Sequence, residues 1–131
     1  MKAVDTNILV RLLVQDDEKQ AARVNQLLTD AETRKQPLFV SHVVVLELIW
    51  VLGSAYEIPR EEILKALSHL LSMAALTFQA PPTIRDFINN AQAGSLDLAD
   101  LLIAQIARDA GCETTLTFDN KAARANLFSK L

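Results

Sequence analysis

Cysteine is nearly missing from this chain: Cys112 is the only one in 131 residues. A single thiol excludes an internal disulfide framework and any C-x-x-C redox pair. Histidine is almost as scarce. His42 and His69 lie far apart, and neither has a zinc-type spacing. With 3 glycines and 4 prolines, the chain is not collagen-like, low-complexity or Gly/Pro-rich. Nor is there an excess of basic residues, since 13 Lys and Arg stand against 16 Asp and Glu for a net charge of -3. Passive nucleic-acid binders are usually basic, so handling nucleic acid here would require a local basic patch or a bound metal. The opening "MKAVDTN" lacks the charged and apolar regions of a signal peptide. The longest apolar run, "FVSHVVVLELIWVL", is too short for a membrane span and contains an acid. These absences predict a protein of the reducing cytoplasm.

What is present suits one compact domain over residues 1–131: half of the residues are hydrophobic, and no repeat or linker interrupts them. Residues 2–4 read as a buried strand, and residues 7–14 as a helix. Residues 15–35 form an amphipathic helix with Ala21, Val24, Leu27, Leu28 and Ala31 at helical spacing, capped by Asp16 or Asp17. A strand "PLFV" follows, then a helix from Ser41 as N-cap to about Leu52, with a break at Gly53 and "EIPREE". A helix from Arg60 to about Met73, a strand over 75–78 and a helix ending at Gly94 come next. The clearest helix is "SLDLADLLIAQIARDAGC", with Ser95 and Asp97 as capping candidates and Gly111 at its end. A last strand covers 114–118, and the tail "NKAARANLFSKL" is short and basic. Strands alternating with helices predict an α/β fold with a parallel sheet and helices on both faces. In such sheets ligands bind beyond the carboxyl ends of the strands.

Four acids stand out by position. Asp5 directly follows the first strand and Asp119 the last, so both belong at the carboxyl edge. Glu47 sits in the apolar helix, whose neighbouring side chains are expected to hold it and limit water around it. Asp100 lies on "LADLLIAQIA" with Leu96, Ile103, Ala104 and Ala107 on its face, and Asp97 is three residues earlier. Each has a plainer reading. Asp5 and Asp97 could cap helices, Asp119 could be a turn acid, Asp100 could answer a helix dipole, and Glu47 could face solvent. Taken together, carboxylates converging on one edge repel each other, and a divalent cation removes that cost. Oxygen donors without clustered His or Cys suit Mg²⁺ or Mn²⁺. Such ions bind phosphate oxygens and activate water for displacement at phosphorus. The phosphate-binding loop G-x-x-x-x-G-K-[ST], the dinucleotide fingerprint G-x-G-x-x-G and the nucleophile elbow G-x-S-x-G are all lacking. A phosphatase with Asp5 as nucleophile would want a second acid at position 7, where Asn7 stands.

At these residues the chain resembles a PIN-domain ribonuclease, and within that family the VapC-type toxins of bacterial toxin–antitoxin pairs. The matching pieces are "VDTNILVRLL", "SHVVVLELIWVL", "LDLADLLIAQIARDAGC" and "TTLTFDNKA", in family order. The resemblance implies a three-layer α/β/α sandwich with a short parallel sheet and a homodimer. It implies a Mg²⁺- or Mn²⁺-dependent endoribonuclease that leaves a 3′-hydroxyl and a 5′-phosphate. It further implies a cognate VapB-type antitoxin that blocks the site, in a dimer or a larger toxin–antitoxin assembly. By position Asp5, Glu47, Asp100 and Asp119 match the four family acids, as catalytic residues and metal ligands. Asp97 matches a further acid, Thr6 and Asn7 the polar residues after the first acid, and Thr117 a hydroxyl beside the fourth. Arg11, Lys121 and Arg124 are candidates to touch the RNA backbone. Two departures are "ADLLIA" for the commoner "ADALIA" and Asn120 where Lys or Arg is frequent. A PIN nuclease of housekeeping RNA processing and a catalytically silent PIN module are the alternatives. Trp50 and Tyr56 could serve either the core or a partner contact.

Overall fold

Six α-helices and four three-residue β-strands make up the computed structural model, which describes residues 1–131. The chain folds as two compact units, Met1–Pro81 and Pro82–Leu131.

The first unit opens on an extended segment. Ala3 forms a single parallel bridge with Phe39, and the Val4 N–H donates to the Phe39 carbonyl at 3.0 Å. The strand predicted over 2–4 is thus reduced to one bridge, followed directly by the Asp5 cap of helix α1 (Thr6–Leu13). Helix α2 (Glu18–Thr33) starts three residues later than predicted. Asp17 caps it by accepting from the Gln20 N–H at 3.0 Å, while Asp16 is drawn to Arg11 and Tyr56 instead. Its Ala21, Val24, Leu28 and Ala31 are buried, as their spacing predicts. Strand β1 (Leu38–Val40) leads into α3 (His42–Ser54), capped by Ser41 accepting from the Val44 N–H at 3.2 Å. Gly53 lies inside this helix rather than ending it. The break comes after it, at residues 55–59, where Pro59 opens α4 (Arg60–Ser72). Strand β2 (Leu76–Phe78) pairs parallel with β1, Leu38 opposite Leu76 and Val40 opposite Phe78.

The second unit begins with α5 (Pro81–Ala93), whose Ile84, Phe87, Ile88 and Ala91 are buried at helical spacing. Helix α6 (Leu98–Asp109) is capped by Asp97, and Gly111 follows it at φ 99°, the left-handed conformation that glycine tolerates at a helix end. Strand β3 (Thr115–Thr117) pairs parallel with β4 (Phe128–Lys130), Thr115 opposite Phe128 and Thr117 opposite Lys130. A single 3-10 turn, Ala122–Arg124, lies between them. Ala104, Ala122 and Phe128 form a small core with Leu96, Ala125 and Leu127 packed on it. The tail read as merely short and basic therefore supplies a strand. The expected α/β class with short parallel strands holds, with the named strands falling into two pairs.

Candidate active site

In the second unit three of the acids singled out above lie at the start of α6 and in the turn after β3. Asp97 occupies the N-cap of α6, its carboxylate accepting from the Asp100 N–H at 3.1 Å. Asp100 sits one turn in and is half-buried. Asp119 lies two residues beyond β3. Its Oδ1 accepts from the Lys121 N–H at 2.8 Å and the Ala122 N–H at 3.3 Å, and its own N–H donates to Thr117 Oγ1 at 3.0 Å. The hydroxyl expected beside the fourth acid is thus there, fixing the turn that presents it. The pKa of Asp100 is raised above the ordinary carboxyl value. Lost hydration is the larger cause, followed by repulsion from Asp97 and then from Asp119.

In the first unit Asp5 is the N-cap of α1, accepting from the Ile8 N–H at 3.3 Å, and its side chain remains exposed. Thr6 behind it is buried at 4% exposure. Asp5, Asn7, Ile8 and Arg11 line a groove of about 720 Å³ together with residues of α2. Glu47 is on α3, which packs against α1. Its expected apolar enclosure is not found. The helix buries Val45, Leu48, Ile49 and Leu52, and Glu47 falls on the opposite, exposed face between Val43 and Trp50. An apolar sequence neighbourhood is not an apolar spatial one, because 3.6-residue periodicity turns the neighbours at i−4 and i+3 outward as well.

Arg11 has partners of its own. Its guanidinium bonds Asp16 at 2.8 Å, Gln20 at 2.5 Å and the Tyr56 hydroxyl at 3.5 Å. Tyr56 in turn donates to Asp16 at 3.1 Å. Tyr56 is therefore half-buried within this network, whereas Trp50 is 64% exposed. Lys121 and Arg124 border a cavity in the second unit. Arg108 joins them there, a residue the sequence reading passed over although it lies seven residues after Leu101, on the same helical face.

No three His, Cys, Asp or Glu side chains are gathered closely enough to hold a metal ion. The donor chemistry nevertheless fits one. Asp5, Glu47, Asp100 and Asp119 all offer the oxygen donors that a hard divalent cation takes, and a cation would offset the repulsion that adds to lost hydration in raising Asp100.

The PIN domain profile matches residues 2–127. A VapC ribonuclease of Aquifex aeolicus (strain VF5) is 25% identical over 121 residues, covering 92% of this chain and 89% of that protein. No solved structure gives a significant match. With an α/β fold and a match over nearly its whole length, the chain belongs to the PIN domain family.

Proposed function

We propose that this PIN domain is a Mg²⁺- or Mn²⁺-dependent endoribonuclease acting as the toxin of a toxin–antitoxin pair. The observation that carries the reading is the placing of Asp100 in the first turn of α6 after its Asp97 cap, and of Asp119 in the Thr117-held turn after β3, where lost hydration and then these like charges raise the Asp100 carboxyl. The similarity to a VapC ribonuclease supports the choice of RNA as substrate.

In this mechanism Asp5, Asp100 and Asp119 are the residues that would hold the cation. Glu47 is a further ligand or orients the attacking water. A cation in that setting supplies a water of lowered pKa and neutralises charge on the scissile phosphate. Asp97 holds the start of α6 and so sets the position of Asp100, and Thr117 fixes the Asp119 turn. Asn7 orients carboxylates beside Asp5. A homodimer and an antitoxin partner complete the proposal.

The test uses purified protein and a structured RNA, with Mg²⁺, Mn²⁺ or EDTA. Asn replacements are preferable to Ala because Asp5, Asp97 and Asp119 also accept backbone hydrogen bonds. Cleavage should need the metal. It should fall roughly a hundredfold or more in Asp5→Asn, Asp100→Asn or Asp119→Asn, since residues outside the ligand shell already cost about 10–100-fold. Asp97→Asn should cost less than Asp100→Asn. Metal-independent cleavage, or full activity in Asp5→Asn, would overturn the assignment. For the toxin role, induced expression should arrest growth, and co-expression of a small adjacent reading frame should relieve the arrest.

A further inference from the structure

The second unit contains a cavity of about 490 Å³ whose lining is unusual for an acidic protein. Arg108, Lys121 and Arg124 border it, and no Asp or Glu does. The ion pair Arg11–Asp16 lies in the first unit, and none of the three cations takes part in it. The position of Arg108 in the last turn of α6 would by itself be answered by the helix dipole. The dipole does not explain why the 3-10 turn brings two further cations to the same cavity. The walls include Leu96, Ala125 and Leu127, the side chains that pack over Ala104, Ala122 and Phe128. Asn90 and Asn126 add amides, that of Asn90 being held by buried Gln105 at 2.9 Å. The size lies within the range of ligand clefts, roughly 300–1,000 Å³.

We propose that this cavity is a nucleotide subsite for single-stranded RNA, taking one unit of the strand that flanks the cleaved bond. Arg108 and Arg124 each take one of the two backbone phosphates that flank this unit, with Lys121 beside them, the apolar wall takes the face of the base, and the two asparagines meet polar base edges. Charge complementarity selects a polyanion. Continuity selects the substrate strand, since Lys121, on the rim, donates its backbone N–H to Asp119. The subsite rests on the ribonuclease reading, and it explains how a chain of net charge -3 would grip RNA without a metal.

Binding of a short fluorescein-labelled single-stranded RNA to the full chain is measured by anisotropy in EDTA, across a series of KCl concentrations. Each phosphate contact on a single strand contributes about 0.7 to the slope of log K against log salt. Arg108→Gln with Arg124→Gln should therefore reduce the slope by about 1.4 and weaken low-salt binding by roughly tenfold or more. Arg108→Lys with Arg124→Lys should keep the slope. The control Lys19→Gln with Lys65→Gln, two exposed cations of the first unit, should leave it unchanged. An unchanged slope in the arginine double variant, an equal loss in the control, or equally tight competition by inorganic phosphate would overturn the subsite. If thermal melting shows the double variant unfolded, Arg124→Gln alone decides, a slope loss of about 0.7 supporting the subsite and none overturning it. The two readings can fail separately. Arginine-dependent binding without metal-dependent cleavage removes the nuclease and keeps an RNA subsite. Cleavage with an arginine-insensitive slope does the reverse.

Discussion

Asp100 is the residue at which stability and the proposed function pull in opposite directions. Its carboxyl is raised by lost hydration and by Asp97 and Asp119, so the folded protein binds its proton more tightly than the unfolded chain does. Below the ordinary carboxyl value of 3.8 both states hold that proton and the group contributes nothing to the balance. As pH climbs from there through the raised value, the unfolded chain ionises first, and stability is lost. At neutral pH Asp100 is therefore a cost to the fold. Replacing it with Asn should raise Tm at pH 7 in EDTA, with the gain shrinking toward acid pH. Added Mg²⁺ should stabilise the unaltered protein more than the variant. A Tm gain that persists unchanged in acid, measured by scanning calorimetry, would show that packing rather than charge accounts for it. The cap placement of Asp97 and the turn placement of Asp119 were legible in the sequence, because an acid at a helix start or just after a strand signals a cap or a turn. Glu47 was not legible in its surroundings. Its sequence neighbours are apolar, but whether they shield it depends on which side of α3 meets the rest of the unit.

At the scale of elements, the helices were legible to within about three residues, because apolar spacing and caps are both local signals. Ser41 and Asp97 are the caps the sequence pointed to, and Pro59 marks the start of α4. Two errors have physical reasons. Strand β4 is three residues, "FSK", too short to show alternation, and it is defined by its pairing with β3. The sequence places a break at Gly53, but the helix passes through it because Leu52 is anchored in the core and Val51 still accepts from the Ala55 N–H at 2.9 Å. That error yields a prediction. A Cβ on Gly53 would meet only Ile63 Cδ1, at an ordinary 3.7 Å. Gly53→Ala should accordingly stabilise the protein by about 0.4–1 kcal/mol through lost freedom of the unfolded chain. Ser41→Ala, at the other end of the same helix, should destabilise it by about 1 kcal/mol as the Val44 N–H loses its acceptor. Urea unfolding with an unchanged m-value would verify both signs.

For the whole molecule, the decisive matter is whether the acids of the two units serve one chemical step. Asp5 and Glu47 belong to Met1–Pro81, and Asp100 and Asp119 to Pro82–Leu131. The sequence singled out these acids by their positions, and their order matches the PIN family. Kinetics can show whether they cooperate. Residues that act as one catalytic unit are strongly non-additive, so removing a second member costs little once the first is gone. Asp5→Asn and Asp119→Asn should each reduce kcat/KM by roughly a hundredfold or more, and the double variant should fall little further than the worse single variant. Losses that multiply would mean that the two carboxylates act in separate steps, and a site built on both would have to be abandoned. The comparison is fair because neither substitution removes the oxygen that can accept the backbone hydrogen bonds of Ile8 or Lys121. A loss of activity then reports the missing charge and not a frayed helix or an opened turn.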